Sequence, residues 1–139
     1  MINFATANIS YNIKNKLKVK SWVKSIVEAE RKVTGEITYV FCNDEYLGSM
    51  NEKYLKHNTL TDIITFDYSE KGILSGDIFI SIERVKENSE SFGTTFSAEL
   101  GRVMAHGVLH LLGYKDKTPN EKKVMRGKED YYLSSFPNL

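Results

Sequence analysis

Apolar positions along the 139-residue chain switch between two periods, and the switches mark out the elements. Residues 2–7 form a short apolar stretch suited to an edge strand. Residues 20–33 carry Trp22, Val23, Ile26, Val27 and Val33 at helical spacing and stop before Gly35, which reads as a C-cap glycine. Residues 37–42 are β-branched and aromatic, as a strand requires, and Asn43-Asp44 can cap a helix over 45–55. The runs TDIITFDY (61–68) and DIFISI (77–82) read as strands separated by a glycine-containing turn at 72–76, so they pair as a hairpin or lie close in one sheet. A polar helix over 83–92 breaks near Gly93. From 96 to 112, Phe96, Leu100, Val103, Met104, Val108 and Leu111 make one broad stripe, which predicts a central buried helix stopped by Gly113. Thr118-Pro119-Asn120-Glu121 is a capping box with Pro at the first helical position, opening a helix over 119–134 with Val124, Met125, Tyr131 and Tyr132 on one face. This element list predicts an α/β or α+β fold with a sheet of about four strands.

Composition narrows the class. Hydrophobic residues at 41%, charged at 27%, and only 2 Pro and 9 Gly describe an ordinary globular domain, which excludes disordered and low-complexity classes. No repeat or linker divides the chain, so a single domain over 1–139 is expected. No apolar run reaches the ~18 residues of a membrane span, and residues 1–10 lack the basic and apolar regions of a signal peptide. The expectation is a soluble, unprocessed, cytoplasmic chain. One cysteine, Cys42, cannot form an internal disulfide and rules out a thiolate-cage metal site, and no disulfide-linked partner is expected. Any metal must then be held by His and carboxylates.

Net charge is +1, too small for binding nucleic acid through a long-range field alone. Its distribution is uneven. Residues 1–34 carry seven Lys/Arg against two acids, 35–99 carry five against twelve, and 100–139 carry seven against four. The basic ends can face phosphates or can simply be a solvated surface of uneven sign.

The segment HGVLHLLGYKD (106–116) is where chemistry becomes specific. On a helix, His106 and His110 stand one turn apart on one face, so both imidazoles can reach one ion at the ~2.0–2.1 Å of Zn–N bonds. Gly113 can take the left-handed conformation that turns the chain back, and Asp116 then offers a carboxylate to the same ion. Such a His-His-Asp set leaves a position open for water, which is the catalytic rather than the structural type of zinc site. The bland alternative, two core histidines with other partners, must satisfy both nitrogens on each ring. The spacing is close to the zinc-protease pattern HExxHxxGxxH, but Gly107 stands where the general-base Glu would be, which argues against peptide hydrolysis. Glu99, seven residues before His106, lies on about the same helix face; it can bond a ligand or the water, or serve as a first-turn carboxylate favoured by the helix dipole.

The block HGVLHLLGYKD, with TDIITF (61–66) and GDIFIS (76–81) upstream in that order, resembles the YbeY family of bacterial rRNA maturation factors, single-strand-specific metal-dependent endoribonucleases. The resemblance spans roughly residues 40–135. It implies one α/β domain with a mixed sheet flanked by helices, a metal site on the central helix, and ligands at His106, His110 and, in the third position, Asp116. The family usually places GYDH where this chain has Tyr114-Lys115-Asp116; an Asp ligand lowers the site's charge by one unit and makes the bound water less acidic. The family pattern also tends to place an Arg shortly before the TD strand, and that position is Leu55 here, with Lys56 and His57 beside it as candidate substrate-binding residues.

Three functions follow, in order of preference. The first is a zinc-dependent endoribonuclease, loaded with one Zn²⁺ or another divalent transition metal, that acts on single-stranded RNA in rRNA maturation and partners rRNA or the ribosome. The second is a metzincin-like zinc protease without its Glu base. The third is a non-enzymatic ribosome-associated factor. The residues assign neither a general base nor a nucleophile.

Overall fold

The computed structural model describes residues 1–55 and 61–139. Nine elements follow one another: β1 (Ile2–Thr6), α1 (Lys16–Ala29), β2 (Val33–Cys42), α2 (Asp44–Leu55), β3 (Ile63–Asp67), β4 (Ile73–Ser81), α3 (Ile82–Ser91), α4 (Phe96–Leu111) and α5 (Pro119–Leu133). The strands form one mixed sheet in the order β1-β2-β4-β3. β1 and β4 run parallel to β2, and β3 runs antiparallel to β4 with Phe66 opposite Asp77. This is the expected α/β domain with a four-stranded mixed sheet.

Alternation along β4 explains the layers. Ile78 and Ile80 point into a large core shared with Val23, Ile26, Leu100, Met104 and Val108, so α1 and α4 cover that face. Phe79 points the other way, where α2 lays Leu47 over Cys42 and Ile64. α4 is the central helix: it packs on the sheet, and α3 and α5 pack against it. The Tyr39 hydroxyl, buried between β2 and α4, donates 2.8 Å to the Met104 carbonyl, and Trp22 Nε1 donates 2.9 Å to the Tyr132 carbonyl, so two buried donors are satisfied by backbone carbonyls of helices.

Three features differ from the sequence-based expectation. The first helix occupies Lys16–Ala29 rather than 20–33, and Gly35 is not its cap. It ends in a Schellman motif with Arg31 at φ 63°, the Arg31 amide bonding the Glu28 carbonyl and the Lys32 amide the Val27 carbonyl. A non-glycine residue in the left-handed position hid the stop, and Val33, counted as helical, is an exposed residue of β2. Gly35 lies within β2, where a Cβ would come 2.9 Å from the Leu74 carbonyl oxygen. The β3–β4 turn is tighter than expected, with only Lys71 and Gly72 at positive φ between paired Glu70 and Ile73, so Gly76 is inside a strand. On α5, Met125 and Tyr132 are buried as expected, but Val124 and Tyr131 are exposed and the buried third residue is Glu129. The capping box at Thr118 and Glu121 forms as read.

Candidate metal centre

The site is built by one helix, one turn and one carboxylate from the next helix. α4 lies against the sheet at Gly107, where a Cβ would meet Ile78 at 2.7 Å and Ile63 at 3.0 Å. With position 107 turned to the sheet, residues 106 and 110 fall on the flank of the helix. Their Nε2 atoms face each other at 2.9 Å. Gly113, at φ +101°, ends the helix and turns the chain, and Asp116 Oδ2 arrives 3.2 Å from His106 Nε2 and 3.5 Å from His110 Nε2. Among the described residues this is the one group of His, Cys, Asp or Glu whose donor atoms converge enough to hold a metal.

These spacings test the fit of a metal directly. Ligand atoms ~2.0–2.2 Å from a tetrahedral ion stand about 3.3–3.6 Å apart, so the observed triangle lies within a few tenths of an ångström of a filled site. All three residues are half-buried or partly exposed, which leaves one side of the triangle open. Two imidazole nitrogens and a carboxylate oxygen converging on one point is an arrangement of lone pairs, one that a cation satisfies better than a single shared proton.

His106 is fixed from behind. Its Nδ1 stands 2.6 Å from Glu129 Oε2, a bond in which the ring must donate because the carboxylate only accepts, and this tautomer turns the Nε2 lone pair toward the site. Glu129 is buried and held in turn by Arg102, whose Nη1 donates 3.0 Å to Oε1 while Nη2 donates 2.7 Å to Asp130. Burial works to lower the His106 pKa, but the Glu129 hydrogen bond and charge, helped by Asp116 and Asp62, outweigh it and raise the pKa. For His110, burial and then the neighbouring His106 charge lower it, and Asp116 only partly compensates. The two rings are thus unequal: one is tied to an anion, the other is the poorer base.

Beside His106 opens a cavity of about 280 Å³ lined by Asp62, Glu99, Arg102 and Arg126. Burial raises the Asp62 carboxyl, opposed by the His106 charge, and burial followed by Asp62 raises Glu99. Carboxyls of raised pKa beside a metal pocket are the type that can carry a proton in acid–base chemistry. Glu99 sits in the first turn of α4 and lines this cavity, while the carboxylate bonded to His106 is Glu129, which sequence reasoning passed over. A signal was present: Met125, Glu129 and Tyr132 share one helical stripe, so a glutamate occupied a core position. Leu55 is exposed at the end of α2, and Lys56 and His57 lie outside the described residues.

The family model of endoribonuclease YbeY matches residues 2–137. The chain belongs to the endoribonuclease YbeY family. The endoribonuclease YbeY of Flavobacterium johnsoniae is 46% identical over 98% of this chain and 97% of that protein, and that of Flavobacterium psychrophilum is 49% identical over 98% and 96%. The solution structure of TM1509 from Thermotoga maritima superposes with a TM-score of 0.67 at 25% identity, covering 98% of this chain and 89% of the other. Membership of the YbeY family makes this chain an enzyme of the nuclease class. No helix among the described residues is long and apolar enough to cross a membrane. Cys42 is buried, and burial, then Asp44, pushes its thiol up to about 12, so it is a packing residue.

Proposed function

We propose that the domain formed by residues 1–139 is a metallohydrolase domain that cuts single-stranded RNA internally, in the cytoplasm, during rRNA maturation, with one zinc ion held by His106, His110 and Asp116. The observation that carries the reading is the triangle of 2.9, 3.2 and 3.5 Å between the three donor atoms, in a chain of a family named for endoribonuclease activity. When bound, the cation supplies Lewis-acid polarisation of a phosphoryl oxygen and positive charge against the extra negative charge of the pentacovalent transition state. The chain's own residues do the rest. Glu129 keeps the His106 proton on Nδ1 and so keeps Nε2 free as a ligand. Asp116 offsets one unit of the metal's charge. Asp62 and Glu99, in the cavity adjoining His106, are placed to exchange protons with a substrate oxygen.

Peptide hydrolysis is the weaker reading for a steric reason. Position 107, where a zinc protease carries its base, faces Ile78 and Ile63, and even a Cβ there would have to displace those side chains. A carboxylate there would be in the core rather than at the ion.

Elemental analysis of purified wild type and His110→Ala, joined to cleavage of a labelled single-stranded RNA with and without chelator, tests the proposal. About one zinc per chain in the wild type alone, with chelator-sensitive cutting, is expected. Equal and negligible metal in both proteins overturns it, as does peptide cleavage in place of RNA cleavage.

A further inference from the structure

On the opposite face of the sheet from His106, α2 and the β3–β4 hairpin enclose a cavity of about 460 Å³ that the metal chemistry leaves unused. Its volume lies in the ~300–1,000 Å³ range of small-ligand pockets. The floor is aromatic. Phe66 meets Phe79 edge-on at 5.9 Å, Tyr54 meets Phe66 edge-on at the same distance, and Tyr46 stacks beside Phe79 at 6.2 Å. Rings that served only to fasten α2 to the sheet would be buried, yet Tyr54 and Tyr68 are 56% and 57% exposed. Polar groups stand at the rim. The Tyr68 hydroxyl donates 3.3 Å to Asp77 Oδ2, and Lys53 Nζ lies 5.2 Å from the centre of the Tyr54 ring.

We propose that this pocket is a stacking subsite for one unpaired base of the RNA. The inference rests on the reading of the chain as a single-strand endoribonuclease. Every base presents a π-face, so an exposed tyrosine ring accepts it without regard to sequence. Lys53 supplies a cation for the flanking phosphate, and the Asp77 carboxylate accepts from a ribose hydroxyl or an exocyclic amine. A base locked in a duplex cannot enter a pocket walled by a helix and a sheet, so the site selects single strands. Its placement fits a strand that also reaches the metal centre. β3 is the edge strand, Phe66 on its pocket side pairs with Asp77, and on the other side Leu111, next to His110, packs at Gly76, one residue from that pair. An extended chain crossing the edge of β3 meets both.

The test is binding of a fluorescein-labelled single-stranded hexa-adenylate, followed by anisotropy in excess chelator so that nothing is cut. Wild type is expected to bind, Tyr54→Ala to bind about 5- to 50-fold more weakly, and Tyr54→Phe to stay within about twofold of wild type, since the ring is kept. The same adenylate run paired with its complement inside an RNA duplex of about 20 base pairs is expected to bind more weakly than the single strand. Equal binding by wild type, Tyr54→Ala and Tyr68→Ala overturns the subsite, and so does the absence of wild-type binding. Cleavage by metal-loaded protein, measured separately, decides the nuclease reading: cutting with no dependence on Tyr54 sinks the subsite alone, and Tyr54-dependent binding without cutting sinks the nuclease reading alone.

Discussion

Glu129 decides which nitrogen of His106 faces the metal pocket, and it does so from a helix that contributes no ligand. Replacing it by Gln keeps an acceptor but removes the charge that holds the ring. Metal affinity of Glu129→Gln is expected to fall about 10- to 100-fold, measured by competition with a chromophoric chelator, with unchanged far-UV circular dichroism. Affinity equal to wild type would make Glu129 a core residue and nothing more. Arg102 is coupled to this, since its two nitrogens bind Glu129 and Asp130 and leave the buried carboxylate no competing partner. Truncating Arg102 to Ala is expected to cost stability as well as metal, by about 2 kcal/mol, because it leaves one oxygen of the buried Glu129 carboxylate unpaired.

At the scale of elements, the position of α4 over the sheet depends on two glycines that make no turn at all. Gly107 has Ile78 and Ile63 where its Cβ would be, and a Cβ on Gly76 would run into the Phe66 carbonyl oxygen and stand 2.8 Å from Leu111. Gly107→Ala meets side-chain methyls that can shift, and a loss of about 1–3 kcal/mol is expected in urea unfolding. Gly76→Ala meets backbone of the neighbouring strand, which cannot shift without breaking the β3–β4 ladder, so a larger loss is expected; a reversed ranking would refute this account of the helix–sheet contact. The same elements show where pattern reading succeeds. α4 carried a broad stripe and a glycine stop and α5 a capping box, and their predicted starts at Phe96 and Pro119 are the observed ones. The end of α1 was missed because its left-handed residue is Arg31, which no composition rule selects.

Across the whole molecule, Glu30 joins three distant segments. It accepts from the Tyr114 hydroxyl at 2.5 Å, from Lys128 Nζ at 3.0 Å and from the Tyr132 hydroxyl, so the end of α1 is tied to α5 and to the turn that delivers Asp116. Burial works to raise the Glu30 carboxyl, but these hydrogen bonds and the Lys128 charge outweigh it and lower its pKa. A carboxylate lowered on folding contributes stability that is complete above its unfolded pKa and is lost as pH falls through the folded one. Glu30→Gln is therefore expected to unfold about 2 kcal/mol more easily at pH 7, with the two proteins converging in acid below the ordinary carboxylate range. A difference independent of pH would show that shape rather than charge matters there.

What lay within one turn of chain was legible before any fold was known. The histidine pair at i and i+4, the glycine that reverses the helix and the aspartate three residues after it are fixed by local geometry alone, so sequence spacing sufficed to bring together three side chains able to hold a metal. The carboxylate behind His106, 23 residues away, the acid-lined cavity beside it and the aromatic pocket across β3 were not legible. They exist only because β4 inserts between β2 and β3, and because α5 returns along α4. Contacts of that kind are chosen by which buried surfaces fit and which long loops close, and neither leaves a period in the chain.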